Sequence, residues 1–200
     1  MIKMRTETMT ITIYKFDELS DEAKEKVIDK LREIAAKDNL DELIECMNEA
    51  MYKMGIKDKG YSIDLNGSGH IDLDVDCDDL EGVRAYKYIV NNFFSGLDKK
   101  KLYYKEGMKK CRESKLDRKD WMENCPFTGC CYDYAVKDAW ENWCADLKEG
   151  NNPSVRDFLD RLEWVYLKEQ FDGYYGFDEE DAREIAEASE YEFSEDGTLY

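Results

Sequence analysis

The sequence predicts an α+β fold that is mostly helical and carries one small antiparallel sheet. Apolar and polar residues alternate over 61–76 on both sides of the turn Asn66–Gly69, a pattern typical of two half-buried strands joined as a hairpin. Residues 8–16 also alternate and are rich in β-branched side chains, so we expect a strand there that joins the hairpin. Elsewhere the apolar residues recur at helical spacing, which makes helices the dominant element.

The alternation gives the hairpin two faces. The apolar face is expected to pack on the core and holds Ile63, Leu65, Ile71, Leu73 and Val75. The opposite face is acidic and holds Asp64, Asp72, Asp74 and Asp76, with Asp78 and Asp79 following. Alternate residues of a strand stand about 6.5–7 Å apart, a spacing broadly similar to that of phosphates along one nucleic-acid strand. The hairpin is therefore the sharpest functional hint in the chain.

Cap and breaker residues divide the rest of the chain into helices. A helix follows Ser20, and later helices are predicted over 39–54, 79–94, 133–148, 152–171 and 178–189. The predicted caps are Asp79, Asn152-Pro153 and Asp178. The helix over 79–94 is expected to bury Val83, Tyr86, Val90 and Phe93. Residues 173–176 are predicted to form a loop, and 191–200 an extended arm or strand with an Asp-Gly turn.

The distribution of charge divides the chain into three segments. Residues 1–96 hold 13 basic and 21 acidic side chains, residues 97–120 hold 10 and 5, and residues 121–200 hold 6 and 21. We therefore predict an α+β domain with the acidic hairpin over 1–96, a basic connector over 97–120 and an acidic helical half over 121–200. One continuous domain is the alternative, since 200 residues suit a single core.

Cysteine usage and hydropathy bear on the compartment. The seven cysteines form an odd count, and the first residues lack the apolar segment of a signal peptide. No run of about eighteen apolar residues, the length that spans a membrane, occurs in the sequence. We expect a cytoplasmic protein that has all thiols reduced and does not bind membranes.

The net charge of −18 limits the ligands that the chain can bind. Such a chain repels DNA, RNA and anionic membranes, so direct nucleic-acid binding is disfavoured. A solvated acidic surface that aids solubility is the plain interpretation. The alternative interpretation is an acidic face that binds a basic partner.

Metal binding and catalysis have weaker support. Asp72, Asp74 and Asp76 match the first three ligand positions of a calcium-binding EF-hand loop, but that loop also needs a glycine where Cys77 stands and a glutamate where Val83 stands. The later cysteines contain one pair at zinc-knuckle spacing and no second knuckle; they are Cys111, Cys125, Cys130, Cys131 and Cys144. His70, the single histidine, stands next to the predicted turn, and no nucleotide-binding motif occurs. We predict no enzyme, no metal and no cofactor, with zinc at the cysteines left open.

Three short segments stand out together. They are Tyr14-Lys-Phe-Asp-Glu-Leu-Ser20, Cys125-Pro-Phe-Thr-Gly129 and Tyr191-Glu-Phe-Ser-Glu-Asp-Gly197. In this order they resemble the opening, middle and end of a family of small acidic accessory proteins of bacteriophages and prophages. The resemblance implies a viral protein expressed in the cytoplasm of a host cell and points to counter-defence or host takeover. It implies no particular activity and no catalytic residues.

These observations lead to one hypothesis and one alternative. The hypothesis is a phage-encoded acidic protein that inhibits a host antiviral defence system, of the anti-CRISPR or anti-restriction type, by occluding the nucleic-acid-binding surface of a basic host protein such as a defence nuclease or effector. Tyrosines are included in the predicted interface because they are enriched at binding hot spots. The predicted partner-binding residues are Asp64, Asp72, Asp74, Asp76, Asp78, Asp79, Tyr174, Tyr175, Asp178, Glu179 and Glu180. The alternative is a regulatory or antitoxin-like protein that binds one specific host or phage protein without nucleic-acid mimicry.

Overall fold

The computed structural model describes residues 12–95, 125, 127–129 and 132–200. These residues form five α-helices and one two-stranded antiparallel sheet, which confirms the mostly helical α+β fold. The elements are α1 (Asp21–Met54), β1 (Lys57–Ile63), β2 (Gly69–Asp74), α2 (Gly82–Asn92), α3 (Asp133–Lys148), α4 (Val155–Gly176) and α5 (Glu179–Ala188), and a 3₁₀ helix (Phe16–Glu18) precedes α1. The predicted basic connector, 97–120, lies outside the described residues.

The predicted hairpin is present. β1 and β2 pair antiparallel, with Ser62 opposite His70 and Lys57 opposite Asp74. A bulge between Asp58 and Gly60 lets β1 begin at Lys57, before the alternating segment starts. The apolar face points to the core as predicted: Ile71, Leu73 and Val75 are buried, and Ile63 and Leu65 are partly buried.

The segment predicted to form a third strand differs from the prediction. Residues 8–11 lie outside the described part of the chain, and residues 12–16 do not pair with the hairpin. Tyr14 instead forms an isolated antiparallel bridge with Phe193, and Phe16 begins the 3₁₀ helix. The physical reason is burial, because Phe16 packs in a core cluster with Phe193.

α1 is one helix of 34 residues where a break near residue 39 was predicted. The buried side chains of Ala36, Leu40 and Leu43 continue its apolar stripe at helical spacing. No glycine or proline interrupts the helix. Burial along the stripe therefore outweighs the low helix propensity of Asp38 and Asn39.

The start of α2 also differs from the prediction. The helix begins after Glu81, which makes no side-chain capping hydrogen bond, so Asp79 does not cap it. Val83 is 62% exposed, although its spacing predicted burial, whereas Val90 and Phe93 are buried as expected. The buried stripe of the helix instead includes Ala85 and Ile89.

α3 has its predicted bounds, whereas α4 differs from the prediction at both ends. The cap of α4 is Ser154, whose hydroxyl accepts a hydrogen bond from Asp157 N–H at 3.0 Å while the Asp157 carboxylate accepts one from Ser154 N–H at 2.6 Å. The predicted loop over 173–176 is instead the last turn of α4. Asp178 caps α5 as predicted.

The described residues divide into two compact units. One comprises those within Met1–Ala36 and Tyr174–Tyr200, and the other those within Lys37–Gly173. The first core contains Phe16, Leu19, Val27, Leu31, Ala182 and Phe193. The second core is larger and includes an aromatic cluster of Phe93, Phe94, Trp140, Trp143 and Phe158. These boundaries differ from the predicted division at 97–120, and the predicted alternative of one continuous domain stays a prediction.

Cys46 is disulfide-bonded, so the prediction that all seven thiols are reduced is wrong. Cys77, Cys125 and Cys144 are not disulfide-bonded, and the cysteines at 111, 130 and 131 lie outside the described residues. A disulfide depends on two Cβ atoms meeting in space. The count and spacing of cysteines in the sequence do not carry that information.

Candidate functional site

The hairpin is fixed on the core through its side chains and its backbone. Ile71 and Leu73 are buried, and α4 supplies hydrogen-bond partners to their backbone groups. Ile71 N–H donates to the Glu163 carboxylate at 3.0 Å, and the Arg156 guanidinium donates to the Leu73 carbonyl at 2.8 Å. Because polar backbone groups of a partly buried strand need partners, these two contacts hold β2 against α4.

The turn of the hairpin rests on the same helix. Gln170, which is buried, donates a hydrogen bond to the Leu65 carbonyl at 2.7 Å. Gly67 has a φ of +77°, and a Cβ at this position would lie 2.4 Å from the backbone nitrogen of Phe171. Only glycine combines this φ with so close an approach. The glycine therefore seats the turn on α4 as well as forming it.

Six aspartates lie on the hairpin and in the turn after it, and all six belong to the same compact unit. Asp64, Asp72, Asp76 and Asp79 are exposed, while Asp74 and Asp78 are partly buried. Three of them form ion pairs: Asp74 with Lys59 at 3.0 Å, Asp76 with Lys57 at 4.0 Å and Asp78 with Arg156 at 2.8 Å. Within the described ranges, no cation pairs with the side chains of Asp64, Asp72 and Asp79. The acidic face is thus partly neutralised by its own fold.

The ion pairs on this face are weak constraints. The Lys59 ammonium donates a hydrogen bond to Asp74 and thereby lowers the pKa of that carboxyl. Both side chains are nonetheless substantially exposed, and exposed pairs contribute only about 0–1 kcal/mol to stability. A cation from another molecule can therefore replace Lys59 or Lys57 at little cost.

The second predicted group of partner-binding residues belongs to the other compact unit. The Asp178 carboxylate accepts hydrogen bonds from Glu180 N–H at 2.8 Å and Asp181 N–H at 3.2 Å. Glu179 is paired with Arg183 at 3.1 Å. Glu180 is exposed. In this region, the carboxylates of Asp178 and Glu179 are already bound by groups of the chain itself.

The two predicted tyrosines are neighbours in the last turn of α4. Tyr174 is partly buried, and its ring meets that of Tyr175 edge to face at 5.2 Å. The Arg32 guanidinium lies 5.8 Å from the centre of the Tyr174 ring. Tyr175 is the more exposed of the two, at 60%. Of the pair, Tyr175 is the better placed to contact another molecule.

Sequence reasoning missed an apolar groove beside the hairpin turn. Its volume is about 370 Å³, and it is lined by Gly67, Trp164, Leu167, Lys168, Phe171 and Asp172. Trp164 and Phe171 are 58% and 49% exposed. The signal was in the sequence, because Trp164, Leu167 and Phe171 recur at helical spacing within the helix predicted over 152–171.

The Cys125–Gly129 turn has a structural role that the sequence did not reveal. Asp133, which is fully buried, accepts hydrogen bonds from Phe127 N–H at 2.6 Å, Thr128 N–H at 2.9 Å and the Thr128 hydroxyl at 2.6 Å. Phe127 is buried against the ring of Phe94. This turn is therefore a folding element that a buried carboxylate holds to the start of α3.

His70 is exposed at the start of β2, across from Ser62. No group of three or more histidine, cysteine, aspartate or glutamate side chains in the described ranges is placed to hold a metal ion. No helix among these residues is long and apolar enough to cross a membrane.

Comparison of the chain with protein-family models, with curated proteins and with solved structures yields no match.

Proposed function

We propose that this protein is an acidic, non-enzymatic binding protein of a bacteriophage that inhibits a host antiviral defence system. In this proposal it binds a basic host protein and occludes the surface with which that protein holds nucleic acid. The observation that carries the proposal is a set of three exposed carboxylates, Asp64 and Asp72 on the hairpin and Asp79 in the turn after it, which form no ion pair with another described residue. The phage context comes from the resemblance of three sequence segments.

Charge and rigidity both favour this kind of partner. A chain with a net charge of −18 attracts a basic surface over a distance of about 10 Å at moderate salt, and such attraction speeds association. The hairpin is fixed by the buried Ile71 and Leu73 and by the contacts of α4. Its carboxylates are therefore presented without a large loss of backbone entropy on binding.

The test uses two charge-matched triple variants. The first, Asp64→Asn/Asp72→Asn/Asp79→Asn, removes the unpaired hairpin charges. The control, Asp38→Asn/Asp41→Asn/Glu45→Gln, removes the same charge from exposed positions of α1 in the same compact unit. Both variants keep the shapes of the side chains and remove the same net charge. A difference in activity between them therefore depends on where the charge was removed.

Each chain is expressed in bacterial strains that carry one nuclease-based defence system apiece, and phage plating efficiency is measured. We expect the parent and the α1 variant to restore plating in one strain and the hairpin variant to fail. In a gel-shift competition, the parent chain should displace duplex DNA from the purified effector of that strain. Restoration in no strain, or equal activity of the hairpin variant and the parent, would contradict the proposal.

The groove on α4 favours a second candidate, a regulatory or antitoxin-like protein that binds one specific protein without nucleic-acid mimicry. Exposed tryptophan and phenylalanine side chains in a concave surface are typical anchor sites of protein interfaces. This candidate predicts that Trp164→Ala abolishes activity in the same plating assay while the hairpin triple variant retains it.

A further inference from the structure

We infer that the groove lined by Gly67, Trp164, Leu167 and Phe171 receives one large apolar side chain from a lysine- or arginine-rich segment of the partner. The inference rests on the proposed function, because it describes how the same basic partner is recognised beside the hairpin. The groove and the hairpin then form one continuous interface, in which the groove makes apolar contacts and the hairpin makes charge contacts.

The groove is built to accept an apolar group. Trp164 and Phe171 expose about half of their surface, and Leu167 is partly buried between them. The hairpin turn forms one wall, because a Cβ on Gly67 would lie 2.7 Å from the Leu167 carbonyl oxygen. Burial of apolar surface in such a concavity is the usual energetic centre of a protein interface.

The hairpin and the groove are contiguous. Gly67, in the groove wall, donates its N–H to the Asp64 carbonyl at 2.9 Å. Asp64 is exposed, and its side chain has no cation beside it within the described ranges. An extended segment that places an apolar side chain between Trp164 and Phe171 therefore brings its neighbouring residues to Asp64, at the turn of the hairpin.

The surrounding charge selects a basic segment. Residues 57–79 contain seven acidic and two basic side chains, and α4 contains five and three. Lys168, the cation in the groove, forms an ion pair with Asp172 and lies 5.9 Å from the centre of the Trp164 ring. A cation at the face of this ring is therefore already part of the groove, so a basic segment beside its apolar anchor is compatible with the lining.

A second copy of this chain does not fit the same surface. Two chains of net charge −18 repel each other, and like charges across an interface are unfavourable. The occupant that complements both the groove and its rim is a cationic segment with an apolar anchor.

The experiment uses two fluorescently labelled synthetic peptides as probes. One alternates lysine and serine around a single central phenylalanine, and the other has serine at that central position. Binding to the purified chain is measured by fluorescence polarisation at low salt. We expect the phenylalanine peptide to bind at least about tenfold more tightly than the serine peptide, because a hot-spot side chain contributes at least that factor.

Variants of the chain separate the apolar contacts of the groove from the charge contacts of the hairpin. Trp164→Ala and Phe171→Ala should remove the preference for the phenylalanine peptide while leaving the affinity for the serine peptide unchanged. Tyr52→Ala is the matched control, because Tyr52 is 85% exposed in the same unit and does not line the groove. The triple hairpin variant should weaken the binding of both peptides. Circular dichroism checks that each variant is folded.

The outcomes distinguish the groove from the hairpin. Equal affinity of the parent for the two peptides, or a preference that survives both groove variants, overturns the groove inference and leaves the proposed recognition of a basic partner intact. Failure of the parent to bind either peptide overturns the recognition of a basic partner and the groove inference together.

Discussion

The hairpin and α5 are both rich in carboxylates, but they differ in what those carboxylates contact. At the start of α5, Asp178 accepts two backbone N–H groups and Asp181 accepts the Asp178 N–H in return. On the hairpin, the side-chain carboxylates of Asp64 and Asp72 accept no hydrogen bond from another described residue. A carboxylate at a helix start stabilises the fold, whereas one on the outer face of a strand leaves its charge available. Acidic composition alone therefore does not identify a binding surface.

The prediction with the largest expected effect concerns the buried, apolar face of the hairpin. Replacing Leu73, which is 3% exposed, by alanine should lower the free energy of unfolding by about 2–5 kcal/mol, because burial is lost and a cavity is left. Urea denaturation measures this change. Val83→Ala, at an exposed aliphatic position of the same unit, should stay within about 0.5 kcal/mol of the parent. Similar values for the two variants would contradict the packing described for β2.

A smaller effect separates the two acidic regions directly. Asp178→Ala removes the cap of α5 and should cost about 0.5–2 kcal/mol of stability. Asp72→Ala removes an exposed carboxylate of the hairpin and should change stability by less than about 0.5 kcal/mol. Thermal and urea unfolding of both variants provide the comparison. If Asp72→Ala were the more destabilising, the distinction between the two regions would fail.

The pH dependence of stability adds a third comparison, in the C-terminal turn. Hydrogen bonds, chiefly from the Ser194 hydroxyl and then from Thr198, lower the pKa of Asp196 from 3.8 to about 2. Because the pKa of this carboxyl is lower in the folded chain than in the unfolded chain, the carboxylate stabilises the fold above pH 3.8. This contribution is lost as the pH falls toward about 2. Asp196→Asn should therefore show a shallower loss of stability than the parent over that range, measured by urea unfolding at a series of pH values. Parallel curves for the two proteins would show that the carboxylate makes no such contribution.

The smallest stability effect concerns the cations of the hairpin. Lys59→Met removes the partner of Asp74 and should leave stability nearly unchanged, because exposed ion pairs contribute little. The outer face then becomes more negative, so association with a lysine-rich peptide should become faster. Stopped-flow fluorescence measures the rate. A slower association would mean that Lys59 itself contacts the ligand.

Local signals account for what the sequence predicted well. The alternation around Asn66–Gly69 located the hairpin, and Asp178 located the start of α5. Each of these signals acts over a few residues, so a short window of sequence contains it. The same holds for α3, whose stripe of Val136, Trp140 and Trp143 is buried as predicted.

Long-range contacts account for the features that the sequence could not predict. The partner of Asp78 is Arg156, and the support of the Ile71 backbone is Glu163, which are 78 and 92 residues distant in the chain. The continuity of α1 through residue 39 depends on tertiary burial in the same way. The groove requires the hairpin turn to meet α4, a contact that periodicity within α4 alone does not specify.

The hydrogen bonds from α4 to β2 also bear on self-association. An exposed strand edge with free N–H and C=O groups is a template on which another chain can add a strand and begin a fibril. In β2 the Ile71 N–H and the Leu73 carbonyl are already bound by Glu163 and Arg156. An incoming strand would have to displace both side chains before it could pair, so this edge is protected against β-sheet aggregation.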